Sequence, residues 1–149
     1  MSDYTLADVS VVMGSYNEAA AIGPVLEDID EATDGAAEVV VVDGSSDGTA
    51  GIARDHGATV IEQEPQGYGY AVCKALLSAT NPVRITTDCD GTYPMERIPD
   101  FLELINEGYD VVSGDRLYHG AETMPTMNRF GNYAFAGLSS VLACDHMHD

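Results

Sequence analysis

Apolar positions fall into two alternating patterns along the chain. Short continuous runs rich in β-branched residues read as strands buried on both faces: "VSVVM" (9–13), "EVVVVD" (38–43), "ATVIEQ" (58–63), "PVRITTD" (82–88) and "YDVVSGD" (109–115). Between them the spacing turns helical. "AAAIGPVLEDIDEAT" (19–33) puts Ile22, Val25, Leu26 and Ile29 on one face, with Pro24 early, where a helix tolerates it. "DGTAGIARDHG" (47–57) is a short helix with Gly57 beyond its end, and "YAVCKALLSAT" (70–80) carries Val72, Ala75, Leu76 and Ala79. Pro99 opens a helix over 99–108. The segment 124–149 predicts a last helix with Phe130, Ala134, Leu138, Val141 and Leu142 on one side, and no strand follows it.

Strand and helix alternating at this spacing predict an α/β fold, a doubly wound, mostly parallel sheet with helices on both faces. Right-handed crossovers leave few strand orders. In the common order 3-2-1-4, strands 1 and 4 flank the crevice where such sheets bind ligands. The segments leaving strands 1, 2 and 4 are "GSYNEAAA" (14–21), "DGSSDGT" (43–49) and "DCDGTYP" (88–94). Polar and acidic groups therefore collect at one rim of the sheet.

Composition bounds what that rim can serve. The 149 residues suit one domain, and 45 % hydrophobic content supplies a core. The formal charge is −19 and Lys74 is the single lysine, which argues against a phosphate-tracking nucleic-acid binder. An acidic, lysine-poor surface on a patterned chain points to a halophilic source, since dense salt screens the repulsion. Cys73, Cys89 and Cys144 form no CxxC, so reduced thiols are expected rather than a disulfide framework or zinc site. The start "MSDYTLADVS" lacks a signal-peptide pattern, and no apolar run reaches membrane-span length.

Asp88 and Asp90 stand two residues apart, so in extended chain their carboxylates share a face. Two such charges are costly without a counter-ion, and Mg2+ or Mn2+ bridging to a diphosphate would relieve them. The pair could equally end the strand and shape a turn before Gly91. A calcium loop is excluded, because Tyr93 stands where its sixth-position glycine should be. Asp43, closing strand 2, suits a base or ribose contact or a turn, while Asp47 is the expected helix cap. Glu18 could favour a helix start without any ligand. "QGYGYA" (66–71) begins like a dinucleotide fingerprint but lacks its third glycine; Gly67 remains a candidate for close approach to a ligand.

In this order and spacing, "SYNEAAAIGPVL", "VVVVDGSSDGT", "QGYGYAV", "TTDCDGTYPMERIP" and "VVSGDR" resemble the family 2 glycosyltransferases of the GT-A fold, specifically the dolichol- and polyprenol-phosphate sugar synthases. The resemblance runs from about Val9 to the chain end. It implies a nucleotide-diphosphate sugar donor, a divalent metal, and inverting transfer to a lipid phosphate at the cytoplasmic face of a membrane. Carried over by position, Tyr16, Glu18, Asp43, Gly67 and Asp88 line the donor site, Asp88 and Asp90 hold the metal with Asp90 the more direct ligand, and Arg116 and Arg129 hold phosphates. A guanidinium fork suits that task, although ion pairing with the many carboxylates is its alternative.

Three departures qualify the resemblance. Val42 replaces the first Asp of the usual "VDDGS", Thr92 takes a position that relatives fill with Gln, and Asp149 stands where a further "D-x-x-SG" motif would begin. The chain is thus expected to be one donor-binding domain, 1–149, cut short at its C-terminus. His146, His148 and Asp149 could bind metal or form a loose tail. The rivals are a chain that binds nucleotide-sugar without turnover, a sugar nucleotidyltransferase, which wants a cation after strand 1, and a receiver-type domain, which wants a lysine late in the sheet.

Overall fold

The computed structural model describes residues 3–114. Four parallel strands, β1 (Val9–Ser15), β2 (Glu38–Asp43), β3 (Thr59–Glu62) and β4 (Val83–Thr86), lie in the order β3-β2-β1-β4. Helices α1 (Ile22–Thr33), α2 (Thr49–Asp55), α3 (Tyr68–Ser78) and α4 (Ile98–Asn106) connect or follow them. The sheet order and the alternation match the expectation. The chain clusters into two compact units, Met1–Asp110 and Val111–Asp149, and of the second only residues 111–114 are described.

β1 is central, and all seven of its residues are buried. Val9, Val11 and Met13 point to one face, packing with Val41 against Ile22, Val25, Leu26 and Ile29 of α1, Ala53 of α2, and Ile98 and Leu102 of α4. Val12, Val40 and Val42 point to the other, against Ala75 of α3 and Ala79, which caps that helix. A strand covered on both faces needs apolar side chains in both phases, hence the unbroken runs in β1 and β2. Complete burial of each of these valines stabilises the fold by about 1.5–3 kcal/mol.

One expected element is corrected. The fifth strand predicted over 109–115 is not formed: residues 109–114 are irregular, and Asp115 lies outside the described residues. Val111 is 84 % exposed, so its β-branched side chain meets no pleated apolar surface, which is what strand preference measures. The expected helix over 124–149 also lies outside the described residues.

Two serine–carboxylate pairs bracket the β1–β2 ladder. The register sets Ser10 opposite Glu38 and Ser15 opposite Asp43. At the strand entrances, Glu38 accepts hydrogen bonds from Ser10 Oγ, from Thr80 N at 2.9 Å and from Thr80 Oγ1 at 3.0 Å. Asn81 N also donates to Ser10 Oγ, at 3.2 Å. Partial burial opposes ionisation of Glu38, but the donors from Ser10 and Thr80 outweigh it and hold its pKa below the ordinary 4.5. A depressed carboxylate stabilises the fold above its unfolded pKa, and that stability is lost as pH falls through the folded value. The melting temperature is therefore expected to fall as pH drops below about 4.5. Glu38→Gln is expected to lose about 1 kcal/mol at pH 7 and part of this acid dependence, both read from melts across pH.

Candidate active site

At the opposite end of the sheet the exits of β1, β2 and β4 come together. Asp43 is 1 % exposed. Ser15 Oγ and Ser45 Oγ each donate to its Oδ1 at 2.6 Å, and Ser45 N donates to Oδ2 at 3.2 Å. A buried carboxylate needs such donors, because an unsatisfied one costs several kcal/mol. The two exit loops are then stitched together. Asn17 N donates to Ser45 Oγ (2.7 Å), Glu18 N to Thr49 Oγ1 (3.0 Å) and Ala19 N to Asp47 Oδ2 (3.2 Å). Asp47 Oδ1 accepts from Thr49 N at 3.1 Å and from its hydroxyl at 2.5 Å; the N-cap of α2 is Gly48 rather than Asp47, which instead closes a side-chain turn onto the first helical residue.

The β4 exit joins this assembly through Cys89, whose buried Sγ lies 3.5 Å from Gly14 O, one residue before Ser15. Burial, with the nearby carboxylates of Glu18, Asp88 and Asp90, pushes the Cys89 thiol up to about 12. It is a neutral packing group rather than a nucleophile. On either side of it, Asp88 and Asp90 turn outward, beyond the end of β4 at Thr86. Tyr68 OH donates to Asp88 Oδ1. Thr92 donates to Asp90 Oδ1 from its N at 3.0 Å and from its hydroxyl at 2.7 Å, and Gly91, at φ +76°, makes that tight turn possible.

Glu18, Asp88 and Asp90 lie around the Cys89 thiol, while Asp43 sits at the adjacent β2 exit, bonded to Ser15 and Ser45. Asp43 reaches the pair through Ser15, Gly14 and Cys89. Tyr16 stands beside them in sequence, 61 % exposed. Gly67 caps α3 at φ +98°, ψ +156°, a backbone conformation that favours glycine. Arg116 and Arg129, and the histidines near the C-terminus, lie outside the described residues. Ser15, Ser45, Thr49 and Tyr68 are absent from the sequence-based site. The paired signal for Ser15 is its register opposite Asp43, which a strand alignment exposes only once the sheet order is known.

Among the described residues no three His, Cys, Asp or Glu side chains gather as a metal-binding group. Asp88 and Asp90 offer hard oxygen ligands in pairs, which suits a divalent ion completing its shell with phosphate and water. A cavity of about 340 Å³ lies elsewhere, at the C-terminal ends of α1 and α2, lined by Leu26, Glu27, Asp30, Glu31, Asp55 and His56.

The model of "Glycosyl transferase family 2" matches residues 10–139. The chain belongs to glycosyl transferase family 2. It is 64 % identical over 149 residues to a dolichyl-phosphate hexose transferase of Haloferax volcanii, covering all of this chain and 65 % of that protein. It is 40 % identical over 129 residues to the glycosyltransferase AglJ of the same organism, covering 83 % of this chain and 41 % of the relative. The chain therefore spans about two thirds or less of the length of these relatives. A mannosyltransferase of Pyrobaculum calidifontis, solved with GDP-Man and Mn2+, superposes at TM-score 0.59 and 28 % identity over 75 % of this chain and 37 % of its own. Glucosyl-3-phosphoglycerate synthase of Mycobacterium tuberculosis, solved with Mn2+ and UDP-Glc, gives 0.58 and 25 % over 72 % and 45 %. These relatives bear out the GT-A architecture.

For this family member the Ser15–Asp43 bond is the joint between two site loops. Ser15→Ala is expected to lower stability by about 1–3 kcal/mol, because Asp43 stays buried with one donor fewer. Ser46→Ala, at an exposed position in the same loop, is expected to stay within about 0.5 kcal/mol of the parent. Chemical denaturation of both variants checks the contrast.

Proposed function

We propose that this chain carries the donor site of an inverting glycosyltransferase that moves a hexose from a nucleotide-diphosphate sugar to a polyprenol or dolichol phosphate. The convergence of Glu18, Asp43, Asp88 and Asp90 at the exits of three neighbouring strands carries the reading. The family membership and the ligands named for the two solved relatives support it. Asp43, fixed below the rim, and Tyr16 and Glu18 above it would hold the nucleoside. Asp88 and Asp90 would hold Mg2+ or Mn2+, Asp90 more directly. When bound, the ion would supply Lewis-acid stabilisation of charge on the departing diphosphate.

The chain's own residues do the rest. Asp88 and Asp90 repel an anionic diphosphate unless a cation intervenes, so donor binding by this acidic rim is tied to the ion. Arg116 and Arg129 are proposed to hold phosphate oxygens, since guanidinium groups bind them in a two-pronged fashion. A lipid-phosphate acceptor is already an anion and needs no general base to become a nucleophile, consistent with a rim that presents no histidine among the described residues. Such an acceptor places the work at a membrane surface, and we propose its cytoplasmic face. Among the described residues no helix is long and apolar enough to cross a membrane.

Transfer of radiolabelled sugar from UDP- and GDP-sugars to polyprenol phosphate, with Mn2+ or with chelator, tests the reading. Asp90→Asn is expected to lower the rate about a hundredfold or more. An Asp90→Asn variant as fast as the parent, or transfer undiminished in chelator, contradicts it.

A further inference from the structure

The hydroxyl of Tyr68 on the first carboxylate of the pair is a contact between two separate elements. Tyr68 opens α3, which follows β3, whereas Asp88 follows β4; α3 crosses behind β2 and β1 to join them. The phenol ring is 61 % exposed, so core burial does not account for its placement.

A second observation explains how α3 comes to be there. A Cβ added at Gly14 would lie 2.9 Å from Ala71 Cβ. The first turn of α3 therefore rests directly on the backbone of β1, which only glycine permits at that distance. Ala71 and Tyr68 are three residues apart and share a helix face. The approach at Gly14 thus fixes the turn that carries Tyr68, and Gly67 at φ +98° lets the chain enter that turn.

We propose that Tyr68 is a positioning residue for the donor: it holds the Asp88 carboxylate in the orientation that the metal–diphosphate complex uses. This rests on the donor-site reading above. Without the hydroxyl, Asp88 is free to rotate and must be ordered when the donor binds, a cost that appears as lost affinity. One charge-assisted hydrogen bond is worth about 1.5–3 kcal/mol, roughly ten- to a hundredfold in affinity.

The test is a double-mutant cycle read by calorimetry, titrating UDP and GDP into the chain in saturating Mn2+. Tyr68→Phe keeps the exposed ring, and its melting temperature without ligand is expected to match the parent. Its affinity for whichever nucleotide the parent binds is expected to fall about tenfold. Asp88→Asn is expected to lose at least as much, and the double variant no more than Asp88→Asn alone, because Tyr68 acts through that carboxylate. A purely structural tyrosine would instead lower stability and multiply with Asp88→Asn. If Asp88→Asn weakens binding while Tyr68→Phe does not, or if their losses multiply, the Tyr68 assignment is overturned. If Asp88→Asn leaves affinity unchanged, or neither nucleotide binds the parent, the donor-site reading itself falls.

Discussion

The register between β1 and β2 is the constraint on which the site depends. It sets Ser15 opposite Asp43 at the strand exits and Ser10 opposite Glu38 at the entrances. Side chains alternate along a strand, so a slip of one residue would send Asp43 from the α1–α2 face to the α3 face. Both serine–carboxylate pairs would then break, and a valine and a carboxylate would exchange environments. The apolar runs alone specify this register poorly, since β1 and β2 are buried on both faces and every position accepts a valine. The polar pairs at the two ends supply the missing specification. The same bond that fixes the ladder fixes the loops that follow it.

The electrostatics of the rim follow from this arrangement. Its carboxylates are held by neutral donors: hydroxyls of Ser15, Ser45, Tyr68 and Thr92, and backbone amides of Ser45 and Thr92. None has a lysine or arginine partner among the described ion pairs. Hydrogen bonds satisfy the oxygens' geometry without cancelling their charge, so an attraction for a cation remains. In a chain of net charge −19 this attraction is general; what localises it is the approach of separate strand exits. A nucleotide diphosphate alone would be repelled, and a metal complex of it would not.

Much of the fold is legible in the sequence because its signals are redundant. Runs such as "VSVVM" and "EVVVVD" are too short for helices and too apolar for loops, and the buried face of helix 22–33 is marked by Ile22, Val25, Leu26 and Ile29. The placing of the segments that bear Glu18, Asp43, Asp88 and Asp90 at one rim is legible because it follows from the sheet order alone. Residues 109–114 mislead because β-branched residues signal a strand only where packing receives them, and Val111 is exposed. Ser15 and Tyr68 are hidden for a different reason. Their partners are 28 and 20 residues away, and no local pattern distinguishes them from an ordinary strand-end serine or surface tyrosine. Such residues emerge only from register and from the close approach at Gly14.

One ion-bridged donor site assembled from the exits of β1, β2 and β4 is what we propose. Paramagnetic broadening of backbone amide signals by Mn2+, with UDP or GDP present, tests it most directly. Broadening is predicted for residues 14–18, 43–47 and 88–92 together, while 38, 80 and 81 at the strand entrances stay sharp. Broadening centred instead on Glu27, Asp30, Asp55 and His56, or confined to 88–92 with Asp43 and its loop untouched, would contradict it.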